Sequence, residues 1–343
     1  MKQLIFINFV CFLIGCTGAT TNNKFPEEQQ LEAYPVAVDT FFLRYPYRIA
    51  VKDDIIIIMD LHPADDYFHA FSLPERTHIA SFGRRGQGGD EMLSAENFRF
   101  NTLDSIWVLD ANRMNMVRWK LLTAANSAMR EEEIDLDKAL VRTLDFCLTE
   151  CGFIVPDYLG TNRFHFVDKN GFSTGATGHI PAKKNRKAAS GVLAQAWRGF
   201  YSFNPRKNTL AVATQLGEVI EIYHLDTGAH TVIYGSHGEP QFQTIGDEGI
   251  PVGIMGYFDV QITDNYIYAL FSGQTMKEIQ KNAMNGKINE RGGRYIHVFD
   301  MQGKPVCNYI LDRAVCGIDV HEDEQKIYAV DANSDDPVIV FKM

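Results

Sequence analysis

Apolar residues along this chain fall into short runs that recur in groups. Six runs of five or six residues stand out: Ile55–Asp60, Ile106–Asp110, Phe153–Asp157, Leu210–Thr214, Ile267–Phe271 and Ile327–Asp331. Each is too short and too rich in β-branched or aromatic residues for a helix, which predicts buried strands. Each is preceded by another strand-like run ending in a polar turn, beginning with Tyr47–Lys52 before Asp53-Asp54 and ending with Gly317–Val320 before His321-Glu322. Each is followed by an alternating run: Tyr67–Leu73, Met116–Leu121, Arg163–Asp168, Val219–Leu225, Tyr295–Met301 and Val338–Met343. Alternation fits a half-buried antiparallel strand. A fourth run shows in several units, at His78–Phe82, His230–Tyr234 and Val306–Leu311.

Three or four antiparallel strands repeated six times, with a period near fifty residues, predict an all-β, six-bladed β-propeller. The sixth unit stops after its third strand. An orphan strand at Val36–Leu43 is expected to supply the fourth, pairing with Val338–Lys342 to close the ring and hide open edges. Residues 35–343 then form one domain. Three segments interrupt the repeat. Asn126–Val141 has the charged, helix-forming composition of a helical insert, Gly273–Arg291 holds one or two helical turns at Lys277–Met284, and Gly171–Gln195 is a long loop. Long inserts on such a scaffold are where recognition concentrates.

The N-terminus reads as an address. Lys2 precedes an apolar run from Leu4 to Ile14, too short to span a bilayer as a helix but suited to a signal-peptide core. Leu13-Ile14-Gly15-Cys16 resembles the bacterial lipobox. That resemblance implies cleavage before Cys16 and a lipid on its sulfur, so that residues 1–15 are a signal and residues 16–34 a lipid-anchored, flexible tether. By the same lipoprotein resemblance, surface-exported members often carry acidic residues just after the Cys. The segment after Cys16 carries no acidic pair, which implies the periplasmic side of the outer membrane.

Composition narrows the partners. Of 343 residues, 33 are Lys or Arg and 43 are Asp or Glu, a formal charge of −10. Loss of the signal removes Lys2 and makes the balance one unit more negative. An acidic chain lacks the basic surface that phosphate backbones need, so no nucleic-acid partner is expected. Of six Cys, Cys11 leaves with the signal and Cys16 carries the lipid. In an oxidising envelope Cys147, Cys151, Cys307 and Cys316 could pair, with a Cys147–Cys151 bridge the open alternative. They are few for a chain this long and are expected as buried free thiols; neither pair has zinc-ligand spacing with matching His.

The segment Ala80–Glu91 (ASFGRRGQGGDE) resembles the signature that closes the first blade in the TolB-like six-bladed propeller lipoproteins of Bacteroidetes, with Gly89 in place of the usual Pro. That resemblance covers residues 35–343. It implies an envelope lipoprotein with no assigned enzymatic activity.

Chemistry is sparse. Gly83–Gly89 has the glycine content of an anion-cradling loop, but no Lys-Ser/Thr follows, so the Walker pattern fails and a blade-to-blade crossing with positive φ at Gly is expected. Arg84 and Arg85 are the candidate ligand-binding residues, for a carboxylate or phosphate near the blade rim. The ten His show no paired metal-binding spacing, and no Ser/His/Asp set is defensible, so no catalytic residue, metal or cofactor is assigned. The reading is a non-catalytic binding or scaffold propeller for an envelope protein, peptide or glycan. The alternative is a metal-dependent hydrolase or lactonase in the central channel, drawing on Glu91, Glu96, Asn97, Asp247, Glu248 and Asp259.

Overall fold

The computed structural model describes residues 24–38, 42–141, 143–184, 187–246 and 248–343. The expected signal, Cys16 and most of the expected tether therefore lie outside the described residues. Six antiparallel sheets follow one another around an axis. Blade 1 is Pro46–Lys52, Ile55–Asp60, Asp66–Ser72 and His78–Arg84, paired in chain order. Blades 2 to 4 repeat this order, with innermost strands Ala95–Phe100, Cys147–Thr149 and Gly199–Asn204. Blade 5 starts at Tyr257–Ile262 and blade 6 at Gly317–His321. The second strands are the six apolar runs. Ile55–Asp60 and Thr209–Thr214 are buried at every position, because each is covered by a blade on both faces. Adjacent blades share their cores: Phe68 and Phe82 of blade 1 pack with Phe98, Val108 and Trp119 of blade 2.

The recurring Asp that ends second strands has a structural cause. Asp60 accepts the backbone N–H of Arg44, Tyr45 and His62. Asp110 accepts those of Leu93, Ser94 and Arg113, and Asp157 those of Leu159, Gly160 and Asn162. Each carboxylate satisfies donors of a turn or blade connector that no strand pairs.

Ring closure lies upstream of the expected position. Ala33–Pro35 pairs antiparallel with Val338–Lys342, placing Ala33 opposite Phe341, and Val36 adds one bond from its N–H to the Val338 carbonyl. Just before it, Glu28–Leu31 pairs parallel with Pro305–Val315 of blade 5. One extended segment thus edges two blades. The propeller begins near Glu28, so the expected tether is shortened by residues 28–34. Val36, Val38 and Leu43 instead pack against Ile49, Val51 and Phe71, filling the seam between blades 6 and 1. Apolar character here marked a packing role, while the ladder needed only backbone groups.

The insert expected as a helix at 126–141 is the outer strand of blade 2, Ser127–Asp135, paired with Asn115–Leu122. Only Ile134 of that strand is buried. The helix at 277–284 is present as Met276–Met284, closed by a Thr275–Glu278 capping box. The loop at 171–195 contains a strand, Ser173–Thr177, and the start of a helix, Ser190–Ala196. A hairpin with no sequence expectation, Phe242–Ile245 and Glu248–Pro251, stands in the connector from blade 4 to blade 5. Cys147, Cys307 and Cys316 are buried free thiols as expected, but Cys151 is exposed at the turn between the first two strands of blade 3.

In this topology the blade connectors and the turns after second strands share one face, the loop face. The hairpin, the Ser190–Ala196 helix and the Met276–Met284 helix all stand there. Ile254 bridges Thr275, and the Gly249 N–H donates to Gln195 Oε1.

Candidate functional site

The six innermost strands leave one edge without a strand neighbour, and side chains from adjacent blades supply the missing partners. Asp319 Oδ2 accepts the Val51 N–H at 2.5 Å, joining blade 6 to blade 1. Asp259 Oδ2 accepts the Ile318 N–H at 3.0 Å, and Gln261 bonds both the Ile318 carbonyl and the Val320 N–H, joining blades 5 and 6. Ser202 Oγ accepts from Ile262, joining blades 4 and 5. Asp145 bridges three blades: its oxygens accept from Asn97 Nδ2 at 2.6 Å, from Arg99 at 3.2 Å and from the Tyr201 N–H at 2.8 Å. Buried edge donors are expensive to leave unmet, which explains why polar residues occupy this otherwise apolar repeat.

Arg48 sits at the centre, 3% exposed. Its guanidinium lies 3.8 Å from the Tyr47 ring centroid and 4.7 Å from that of Phe200. It donates to the Tyr47 and Cys316 carbonyls, both at 3.0 Å, and its Nε stands 3.9 Å from Asp259. Burial pushes the Asp259 carboxyl up, against the pull of Arg48. Arg48 divides the channel. On the turn side a chamber of about 310 Å³ is lined by Lys52, Phe100, Ser202, Gln261 and Asp319. On the loop side a chamber of about 230 Å³ is lined by Glu96, Asn97, Asp145, Tyr158, Arg198 and Gln215. Burial raises the Glu96 carboxyl, although a bond from Ser94 Oγ opposes this. Burial likewise keeps the Tyr158 phenol protonated well beyond its ordinary range.

In the glycine loop the anion position is taken by one of the chain's own side chains. The Gly88 N–H donates to Glu91 Oε2 at 2.8 Å, so a side-chain carboxylate already holds that position. The Gly88 and Gly89 carbonyls accept from Arg113 and Arg130 of blade 2. Positive φ occurs at Gly83 only; a Cβ at Gly86 would fall 1.9 Å from Glu91 Oε2 and would displace that side chain. Arg84 is exposed and faces Glu91 at 3.9 Å, and Arg85 donates to the Pro63 carbonyl at 3.3 Å. Both stand at the blade 1 rim, apart from the channel.

Among the described residues the carboxylates considered for a channel metal are not brought together. Glu91 serves the glycine loop, Glu248 is exposed on the hairpin and Asp247 lies outside the described residues. Glu96 and Asn97 line the loop-side chamber, and Asp259 is filled by backbone N–H groups and Arg48. Among the described residues no group of three His, Cys, Asp or Glu is placed to hold a metal ion. Sequence reasoning missed Arg48, Arg99, Asp145 and Arg198. Charged residues inside predicted inner strands, as in Tyr47–Lys52 and Asn97–Asn101, were the available signal.

These features define a six-bladed propeller whose axis is stitched by side chains and plugged by an arginine. The chain belongs to the TolB-like six-bladed propeller family, whose description, TolB-like 6-blade propeller-like, matches residues 23–323. No curated protein matches it. Among solved structures it is similar to a protein of Bacteroides fragilis described as exported, at 11% identity and TM-score 0.55, covering 94% of this chain and 97% of that one. It is also similar to a member of the duf4221 family from Bacteroides vulgatus, at 8% identity and TM-score 0.55, covering 93% and 97%. A protein described as a gluconolactonase aligns at 12% identity and TM-score 0.50, covering 91% and 92%. At these identities the likenesses establish the fold alone.

Proposed function

We propose that this protein is a non-catalytic binding propeller of the bacterial cell envelope, held by a lipid on Cys16 on the periplasmic side of the outer membrane. The observation that carries the binding reading is the commitment of three of the channel's carboxylates. Asp145, Asp259 and Asp319 each accept N–H groups from a neighbouring blade. A hydrolase needs such groups free to hold a metal or activate water. The gluconolactonase likeness is one of fold and brings no ligand set to these positions. The envelope reading is supported by the lipobox-like Leu13–Cys16 and by the exported description of the Bacteroides fragilis structure. Among the described residues no helix is long and apolar enough to cross a membrane. The partner is an envelope protein, peptide or glycan that meets the loop face.

Fractionation tests the anchor and turnover assays test the chemistry. Cys16→Ala is expected to move the protein from the membrane pellet to the soluble fraction; retention in the pellet overturns the lipid anchor. Purified protein is expected to leave ester, lactone and glycan panels intact with added divalent metal. Metal-dependent turnover that survives repurification overturns the non-catalytic reading.

A further inference from the structure

Among the described residues, the charges lining the loop-side chamber pair off with two left over. Arg99 is matched by Asp145 at 3.2 Å and Arg48 by Asp259 at 3.9 Å. Arg198 and Glu96 remain, and both line the loop-side chamber. Arg198 comes from the connector entering blade 4. Its Nε is buried with no hydrogen-bond partner, and no carboxylate among the described residues pairs with it. Glu96 comes from the inner strand of blade 2 and accepts only a neutral hydroxyl, from Ser94. Arg198 and Glu96 are each half-buried with no ion-pair partner among the described residues, and a ligand charge of opposite sign would relieve each. The side chains of Tyr158 and Gln215 add uncommitted polar groups to the same wall. At about 230 Å³ the chamber falls below the roughly 300–1,000 Å³ of drug-sized sites, so it fits a smaller ligand.

We infer that the loop-side chamber is a seat for a small zwitterion, a free α-amino acid or a dipeptide, whose carboxylate meets Arg198 and whose ammonium meets Glu96. A planar guanidinium recognises a carboxylate with two parallel hydrogen bonds. Asp145 adds no competing charge, because Arg99 and Asn97 occupy it. A purely anionic ligand would leave Glu96 uncompensated and a purely cationic one would leave Arg198 so. This rests on the binding reading above and names the ligand class for it.

Equilibrium dialysis of the full chain at pH 7 tests the assignment with four probes: L-alanine, L-alanyl-L-alanine, N-acetyl-L-alanine and L-alaninamide. At least one of the two zwitterions is expected to bind, and removing either ligand charge is expected to weaken binding about tenfold or more. Arg198→Gln is expected to weaken the zwitterion while leaving the amide unchanged, and Glu96→Gln to weaken it while leaving the N-acetyl form unchanged. The wild-type comparison of charged and capped ligands stands even if a variant fails to fold. Equal affinity for L-alanine and N-acetyl-L-alanine, or no binding of any probe below about 10 mM, overturns the zwitterion seat and leaves the non-catalytic reading standing. Recovery of the dipeptide as free alanine overturns the non-catalytic reading instead.

Discussion

Burying a histidine ties its protonation to the fold. His297, on the third strand of blade 5, packs against Phe25 and Phe271 and contacts the Tyr257 hydroxyl at 3.2 Å. His69 is equally enclosed in blade 1, with Nδ1 2.9 Å from Ser81 Oγ. Burial disfavours the imidazolium at both and pulls each from the ordinary 6.5 down to about 4. The folded state therefore favours the neutral ring. The associated stability is complete above pH 6.5 and is lost as pH falls from there through about 4. Each histidine is expected to withdraw on the order of 2 kcal/mol between pH 7 and pH 4.5. Urea unfolding at those two pH values, for wild type and His297→Phe, checks this. The variant is expected to lose less stability on acidification by about that amount, and an unchanged difference would show that folding does not depress the His297 pKa. His321 moves the opposite way, because Asp319 hydrogen-bonds and attracts its charged form.

At the scale of elements, the N-terminal segment does work that neither neighbouring blade does alone. Glu28–Leu31 covers the outer edge of blade 5, and Ala33–Pro35 covers that of blade 6. Leu31 is 2% exposed and shares a cluster with Leu311, Val315 and Phe341. Leu31→Ala is expected to cost about 3 kcal/mol in chemical denaturation and to speed proteolysis within residues 24–36. Normal protease resistance would mean that the backbone ladder alone holds the segment. The same element shows where sequence reading succeeds and where it stops. Second strands such as Ile55–Asp60 are buried on both faces, so composition alone marks them. Outer strands have solvent on one side and no further strand beyond, so their composition follows solubility. Ser127–Asp135 carries Glu131 and Glu132 to pair with Arg118 across the ladder, and that charge density resembles a helix. Inner strands are the third case. Their charges answer needs of a neighbouring blade some fifty residues away, which no local pattern records, and so the channel residues were not read as a site.

At the scale of the whole molecule, Arg48 is where the ring is held together across its axis. It belongs to blade 1, bonds the Cys316 carbonyl at the entry to blade 6, approaches Asp259 of blade 5 and lies over Phe200 of blade 4. Such a pin contributes by keeping buried groups satisfied. Removing it leaves Asp259, 4% exposed, without its cation and the Cys316 carbonyl without its donor. Arg48→Met is therefore expected to destabilise the protein by about 3–5 kcal/mol. Asp259→Asn alone strands the guanidinium and is expected to be costly as well. The double variant removes both charges together, so its destabilisation is expected to fall short of the sum by at least about 1 kcal/mol. Urea denaturation of the four proteins closes this cycle, and additive costs would show that the 3.9 Å approach carries no coupling. Loss of the plug would also join the two chambers into one continuous passage, because Arg48 is the side chain common to both. A zwitterion seated at Arg198 and Glu96 then loses the floor that excludes water beneath it, so Arg48→Met is expected to weaken L-alanine binding even where the fold survives.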